Sequence, residues 1–273
     1  MFVADSFNKY LSAQIDSQGR RYIGSSDFLR VIDQYLFNKN TAATEFGRQY
    51  HAICEYELTG KPYYLMTKED ARKNKESIIP VYPQILLPPA DYKKMKNMVA
   101  ASQCIYDEMD RHGPLVLEQS LYVEKEKIED YEHASEADIL RLLMCEMPNS
   151  YKVRVDAYSP SGRILWDFKS VTASTWGKVR SEIHYRMYWV KMAFYALCMH
   201  ASGYPVEYMV LNMIVKSDTH KKAVIVNATI SDLGGYLKRV LPAKKRFREL
   251  LDDYKRYNRL TVEHRNFNFK DFS

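Results

Sequence analysis

RVDAYSPSGRILWDFKS, residues Arg154–Ser170, carries two alternating runs on either side of a turn. The strand-like stretches Tyr151–Tyr158 and Arg163–Ser170 flank Ser159-Pro160-Ser161-Gly162, where Pro and Gly supply turn geometry, so the segment reads as a β-hairpin. Strand side chains alternate, which puts Val153, Val155 and Ala157 on one face and Arg154, Asp156 and Tyr158 on the other. In the second run Leu165, Asp167 and Lys169 share a face, and Trp166 and Phe168 point the opposite way, into a core. A four-residue loop sets Asp156 opposite Leu165, leaving Asp156 and Asp167 as diagonal neighbours about 7–8 Å apart with Lys169 beside them. Two carboxylates at ~7 Å repel by roughly 2 kcal/mol at an effective dielectric of ~20, so the pair favours a divalent cation between them. Oxygen ligands suit magnesium, with manganese as a substitute, and a neighbouring ammonium can orient an attacking water. That combination is phosphodiesterase chemistry. The competing interpretation is a half-solvated hairpin whose outer face simply carries Asp and Lys.

Other residues widen the pattern. Gly47-Arg48-Gln49-Tyr50-His51 lies upstream, and Tyr188-Trp189-Val190-Lys191-Met192-Ala193-Phe194-Tyr195 lies downstream. Asp156 followed by Asp167-Phe168-Lys169 resembles the acid and acid-x-Lys pair of the PD-(D/E)XK nuclease superfamily. The upstream stretch resembles its G-x-x-x-H motif and the downstream one its Y-x-x-Q-x-x-x-Y motif, an ordered set similar to the RecB-like branch and most closely to RecE-type phage and prophage exonucleases (exodeoxyribonuclease VIII). The resemblance spans roughly residues 25 to 250. It implies an α/β fold with a restriction-endonuclease-like core, a mixed central β-sheet flanked by helices. It implies that His51, Asp156, Asp167 and the Phe168 carbonyl hold the metal, that Lys169 serves the attacking water, and that Glu118 is a supporting acid. By the same resemblance the substrate is linear duplex DNA taken from an end, 5′ to 3′, to expose a single strand for recombination; a homo-oligomer and a single-strand annealing protein are the expected partners. Lys191 stands where the family has glutamine, the one feature favouring a catalytically degenerate DNA-binding relative. A Cas4-like nuclease would need four clustered cysteines for an iron–sulfur centre, whereas Cys54, Cys104, Cys145 and Cys198 are isolated singlets, expected as reduced core residues.

Composition fits one enzyme domain. At 273 residues and 46% hydrophobic content the chain can bury a large core, and no Gly/Ser/Pro-rich linker divides it. Residues 1–24 read as a loose segment, 25–250 as the core and 231–273 as a basic helical region. The sequence shows neither a signal peptide nor a run of about 18 apolar residues, so the expected location is cytoplasmic. The net charge is only +6, but it is unevenly spread. Glu118 to Asp138 holds eight acids against Lys125 and Lys127, whereas Tyr236 to Arg259 holds nine basic residues, including Lys244, Lys245 and Arg246. Such polarity suits a protein that turns one face to phosphates. Lys244, Lys245 and Arg246 are therefore candidate DNA contacts.

In chain order, Ser25 or Ser26 caps a helix through Phe28, Leu29, Ile32 and Leu36, and a second helix from about Thr44 to Leu58 carries His51. Residues 61 to 90 read as a loop-rich insertion punctuated by prolines. Asp91 caps a helix to about His112, with Met95, Met98, Val99, Ser102, Ile105, Tyr106 and Met109 inward. Leu115 to Glu124 reads as a strand that brings Glu118 to the sheet, and the acidic segment after it as a surface excursion. A helical region then ends near Ala201, and Tyr188, Lys191 and Tyr195 form one stripe on it, aimed at the hairpin as DNA-facing candidates. Lys191 on that stripe meets either a phosphate or a carboxylate, because an unpaired buried ammonium is costly. Val206–Val215 and Ala223–Ile230 form a second hairpin, and a C-terminal helix starts at Ser231.

Overall fold

The computed structural model describes residues 10, 13–32, 42–73, 82–131, 138–173 and 175–241. β1 (Tyr22–Ile23) and α1 (Ser25–Ile32) are followed by α2 (Ala42–Thr59), β2 (Tyr64–Thr67), α3 (Lys68–Lys73), β3 (Gln84–Leu87) and α4 (Pro89–Asp110). β4 (Val116–Val123), α5 (Lys125–Glu129) and α6 (Asp138–Glu146) lead to β5 (Ser150–Ser159) and β6 (Ile164–Val171). Next come α7 (Trp176–Tyr185), α8 (Tyr188–His200), β7 (Tyr208–Val215), β8 (Ala223–Thr229) and α9 (Ile230–Val240). The fold is α/β, with a mixed six-stranded sheet in the order β1-β5-β6-β7-β8 and β4 paired to β5. Two helical layers cover it. Phe28 and Ile32 of α1, Leu140 and Met144 of α6, Val190, Phe194 and Leu197 of α8, and Leu233 and Leu237 of α9 pack on one face. Phe46, Tyr50 and Ile53 of α2 pack with Met95, Met98 and Ile105 of α4 on the other.

The hairpin exists, with a register two residues away from the expected one. Ser159 pairs with Ile164, Tyr158 with Leu165 and Ala157 with Trp166, so the antiparallel ladder, if continued, would set Asp156 opposite Asp167 instead of Leu165. The turn explains the shift: the Gly162 amide donates to Ser159 Oγ at 3.0 Å, and Arg163 takes a left-handed φ of 52°, so the loop occupies 160–163. The ladder stops at Ala157. On that same edge of β5 the parallel β1 pairs at Ser150 and Tyr151, so a notch opens between β5 and β6 over residues 152–156. Alternation also breaks there. Val153 and Val155 enter the core under α8, yet Ala157 enters the core under α2, so the expected common face for Val155 and Ala157 does not hold. Trp166 and Phe168 are buried on the α2 side, as their alternation predicts.

Several expectations elsewhere are corrected. Residues 61–90 are not simply loop: β2 and β3 form a small parallel sheet bridged by α3, and Ile85 and Leu87 bury against the α2–α4 core. Residues 13–23 are held down, because Asp16 accepts from Ser150 Oγ at 2.5 Å and from the Arg20 side chain at 2.7 Å, while β1 joins the sheet. Asp91 lies inside the first turn of α4, whose N-cap is Pro88, and Ser25 is the first residue of α1 and not its cap. The segment after β4 is partly anchored through α5, where Ile128 is buried. The helical region after the hairpin is two helices, α7 and α8, broken at Met187 with φ 52°. Thr229 closes a capping box with Asp232 at the start of α9. Cys54 and Cys198 are buried, but Cys104 is exposed, and the four cysteines stand on four different helices.

Candidate metal-centred active site

The notch in the sheet gathers side chains from both helical layers. Asp156 sits where β5 changes face, and its Oδ2 accepts the Phe168 amide at 2.8 Å, replacing the strand contact that the splay removes. His51 comes from α2, its Nδ1 3.5 Å from Asp156 Oδ2 and 4.0 Å from Glu118 Oε1. Gly47, one turn earlier, lets α2 lie close to β6: a Cβ built there would stand 3.6 Å from Ser170 Oγ. Tyr50 anchors the same turn from within the core, its hydroxyl 2.5 Å from Ser102 Oγ of α4.

Glu118 reaches the site through an unusual backbone. It has φ 46°, and the β4–β5 pairing passes from Leu117↔Ala157 to Gln119↔Val155 without it. A left-handed non-glycine residue inside a strand is an outlier that surrounding contacts must hold. Arg154 supplies such a contact, its Nε donating to Glu118 Oε2 at 3.0 Å and its Nη1 to Ser120 Oγ at 3.3 Å. Sequence reasoning gave Arg154 no role, although alternation already placed it on the same face as Asp156.

The other helical layer brings two ammoniums to Asp167, which is 1% exposed. Lys191 of α8 donates to Asp167 Oδ1 at 2.9 Å, and Lys169 pairs with Oδ2 while donating to the Phe168 carbonyl at 3.0 Å. Aromatic rings back both: Lys169 lies 5.5 Å from the centre of Tyr188, and Lys191 lies 4.9 Å from that of Tyr195. Tyr188 is half-buried. Tyr195 is buried, and its hydroxyl accepts from Ser25 Oγ at 3.3 Å. Of the two partners foreseen for Lys191, phosphate or carboxylate, a carboxylate is in place.

These contacts shift the titrating groups of the site in opposite directions. Burial pushes the Glu118 carboxyl up to about 7, with the Asp156 charge adding to it against His51 and Arg154. Burial also acts to raise Asp156, but His51, Lys169 and Lys191 outweigh it and hold that carboxyl well below the usual range. His51 is raised because Asp156 overcomes its desolvation. Lys169 is lowered by burial, with Lys191 adding to the effect against Asp167. Lys191 is held well above the ordinary lysine value because Asp167 overcomes burial.

His51, Glu118 and Asp156 form the metal-binding candidate, the ligand atoms of the three lying within 4.8 Å of one another. An ion with ligands at about 2.0–2.6 Å spans donors up to about 4–5 Å apart, so one imidazole nitrogen and two carboxylates fit a divalent cation after little movement. Asp167 and the Phe168 carbonyl, expected among the ligands, are engaged by the two lysines. Lys244, Lys245 and Arg246 lie outside the described residues. No helix among the described residues is long and apolar enough to cross a membrane.

No protein-family model matches the chain, and no curated protein matches it. Among solved structures it is similar to a protein of Eubacterium rectale named a candidate exonuclease, at 12% identity and a TM-score of 0.51, over 99% of this chain and 98% of that one. The likeness is one of fold, a mixed sheet between helical layers extending over essentially the whole length of both chains.

Proposed function

We propose that this chain is a divalent-metal-dependent deoxyribonuclease that hydrolyses phosphodiester bonds of linear duplex DNA from an end. The observation that carries the proposal is the meeting of His51, Glu118 and Asp156 in the sheet notch, directly beside the Asp167–Lys169 pair. His51, Glu118 and Asp156 would hold the cation, and Asp167 would join them once released from its lysines. A bound magnesium ion would supply positive charge to the scissile phosphate and acidify water. Lys169, drawn down in pKa and fixed against the Phe168 carbonyl, orients the attacking water. Arg154 keeps one oxygen of Glu118 occupied and leaves the other toward His51. The fold likeness to a candidate exonuclease supports the same assignment.

Action from 5′ to 3′, exposure of a strand for recombination, a ring-like homo-oligomer and an annealing-protein partner extend this proposal through the RecE-type motif resemblance. The test is incubation with linear and covalently closed duplex DNA, with magnesium and with EDTA. Magnesium-dependent shortening of linear DNA alone is the expected result, and nicking of closed circles would replace exonuclease with endonuclease. One observation favours a second interpretation, a degenerate relative that binds DNA without cutting it: Lys191 already occupies Asp167. In that case wild type is inert and Lys191→Gln restores cleavage.

A further inference from the structure

The end of β7 presents a lysine in an unusual setting. Lys216 is half-buried, and its Nζ lies 4.8 Å from the centre of the Phe46 ring of α2. No carboxylate among the described residues is within ion-pair distance of it; Glu182 and Asp91 act on it only from further away, and Lys94 and Arg186 add positive charge nearby. Lys94 is itself paired with Asp91 at 3.2 Å, so that acid is already answered. A partly desolvated ammonium without a close counter-ion is costly, and an aromatic face offsets only part of the cost. Burial accordingly lowers its pKa.

The backbone around Lys216 is fixed. Its amide donates to the Val171 carbonyl at 2.7 Å, the Val215 amide donates to the Lys222 carbonyl at 2.9 Å, and Asn97 Nδ2 donates to the Ser217 carbonyl at 3.0 Å. The parallel register sets its distance from the site: Lys169 faces Met213 and Val171 faces Val215, so Lys216 stands three residues past Lys169, about 10 Å along the sheet. It also lies on the α2 side of the sheet, the side from which His51 enters the notch. A cation on a fixed stretch of backbone, about 10 Å along the sheet from Lys169 and with no carboxylate among the described residues at ion-pair distance, suits a ligand anion of the substrate.

We propose that Lys216, seated on Phe46, binds a backbone phosphate of the DNA near the scissile one and so positions the strand at the notch from the α2 side, the side from which His51 enters. This inference rests on the nuclease assignment. It is tested by DNA binding in EDTA across a range of salt, comparing wild type with Lys216→Gln and with Lys127→Gln, which removes the same charge from an exposed place in the acidic segment. Loss of one phosphate contact should weaken binding about fivefold and reduce the slope of log K against log salt by about 0.7–0.9, with Lys127→Gln unchanged. In wild-type protein, bound DNA should also shield the Lys216 amine from acetylation, a readout that needs no substitution. Full-strength binding and an unchanged slope in Lys216→Gln, or an unshielded amine in the DNA complex, would overturn the role of Lys216 alone. Wild type that binds no DNA overturns the nuclease assignment with it.

Discussion

Asp167 is shared by two ammonium groups, one on each oxygen, so removing either frees one oxygen of a buried carboxylate while the other stays paired. Lys191→Gln restores a neutral hydrogen-bonding side chain at that position and relieves competition for Asp167. Magnesium affinity measured by calorimetry should rise several-fold, and weaker or unaltered binding would show that Lys191 does not compete with the ion. Under the proposed mechanism, Lys169→Ala removes the ammonium that orients the water while leaving the His51, Glu118 and Asp156 donors in position. Single-turnover cleavage should fall by roughly 100-fold or more with metal affinity retained; cleavage at the wild-type rate would exclude Lys169 from the chemistry. At this scale the sequence was informative where residue type alone matters. His51, Glu118, Asp156, Asp167, Lys169 and Lys191, all singled out in the sequence, lie together in the structure. The grouping was not legible. Ligand sharing depends on Glu118 adopting φ 46° and on Arg154 taking one of its oxygens, neither of which alternation reveals.

The notch is a property of strands and of the helix that approaches them. At Gly47 α2 lies close against β6, and the 3.6 Å from an added Cβ to Ser170 Oγ admits one methyl group but little more. Gly47→Ala should therefore raise stability by roughly 0.5–1 kcal/mol, since it stiffens a helix interior. Gly47→Leu should push α2 outward and lower metal affinity several-fold without unfolding the protein. Equal metal affinity in the two variants would detach the glycine from the site. The hairpin shows what periodicity can and cannot supply. Parity of alternation survives a two-residue register shift, so Asp167 and Lys169 keep their common face; the splay beyond the Ala157–Trp166 pair, where the Asp156 side chain takes the Phe168 amide, is invisible in the pattern. β1 was missed because two residues are too short to show alternation, and Asp16 holds its approach. Burial acts to raise the Asp16 carboxyl, yet hydrogen bonds from Ser150 and Arg20 hold it at about 2. A depressed folded-state value gives stability that is present above about pH 4 and lost as pH falls through about 2. The stability gap between wild type and Asp16→Asn, from urea denaturation, should shrink over that interval; a constant gap would remove the charge from the account.

Across the whole molecule, the decisive feature is that a splayed sheet lets two opposite helical layers meet. His51 arrives from the α2–α4 layer and Lys191 from the α8 layer, and both reach carboxylates at the gap between β5 and β6. The layered α/β architecture was legible because the hydrophobic stripes of α1, α4 and α8 are long enough to define buried faces. The small parallel sheet of β2 and β3 was not, since its strands are four residues each amid prolines and charge. If the meeting of layers exists to seat a cation, the most direct measurement is anomalous diffraction from crystals soaked in manganese. The account predicts one peak bonded at about 2.0–2.6 Å to His51 Nδ1, Glu118 and Asp156, with Asp167 shifted from Lys191 toward it. Fully soaked crystals with no peak at the notch, or with the ion bound to other residues, would contradict it.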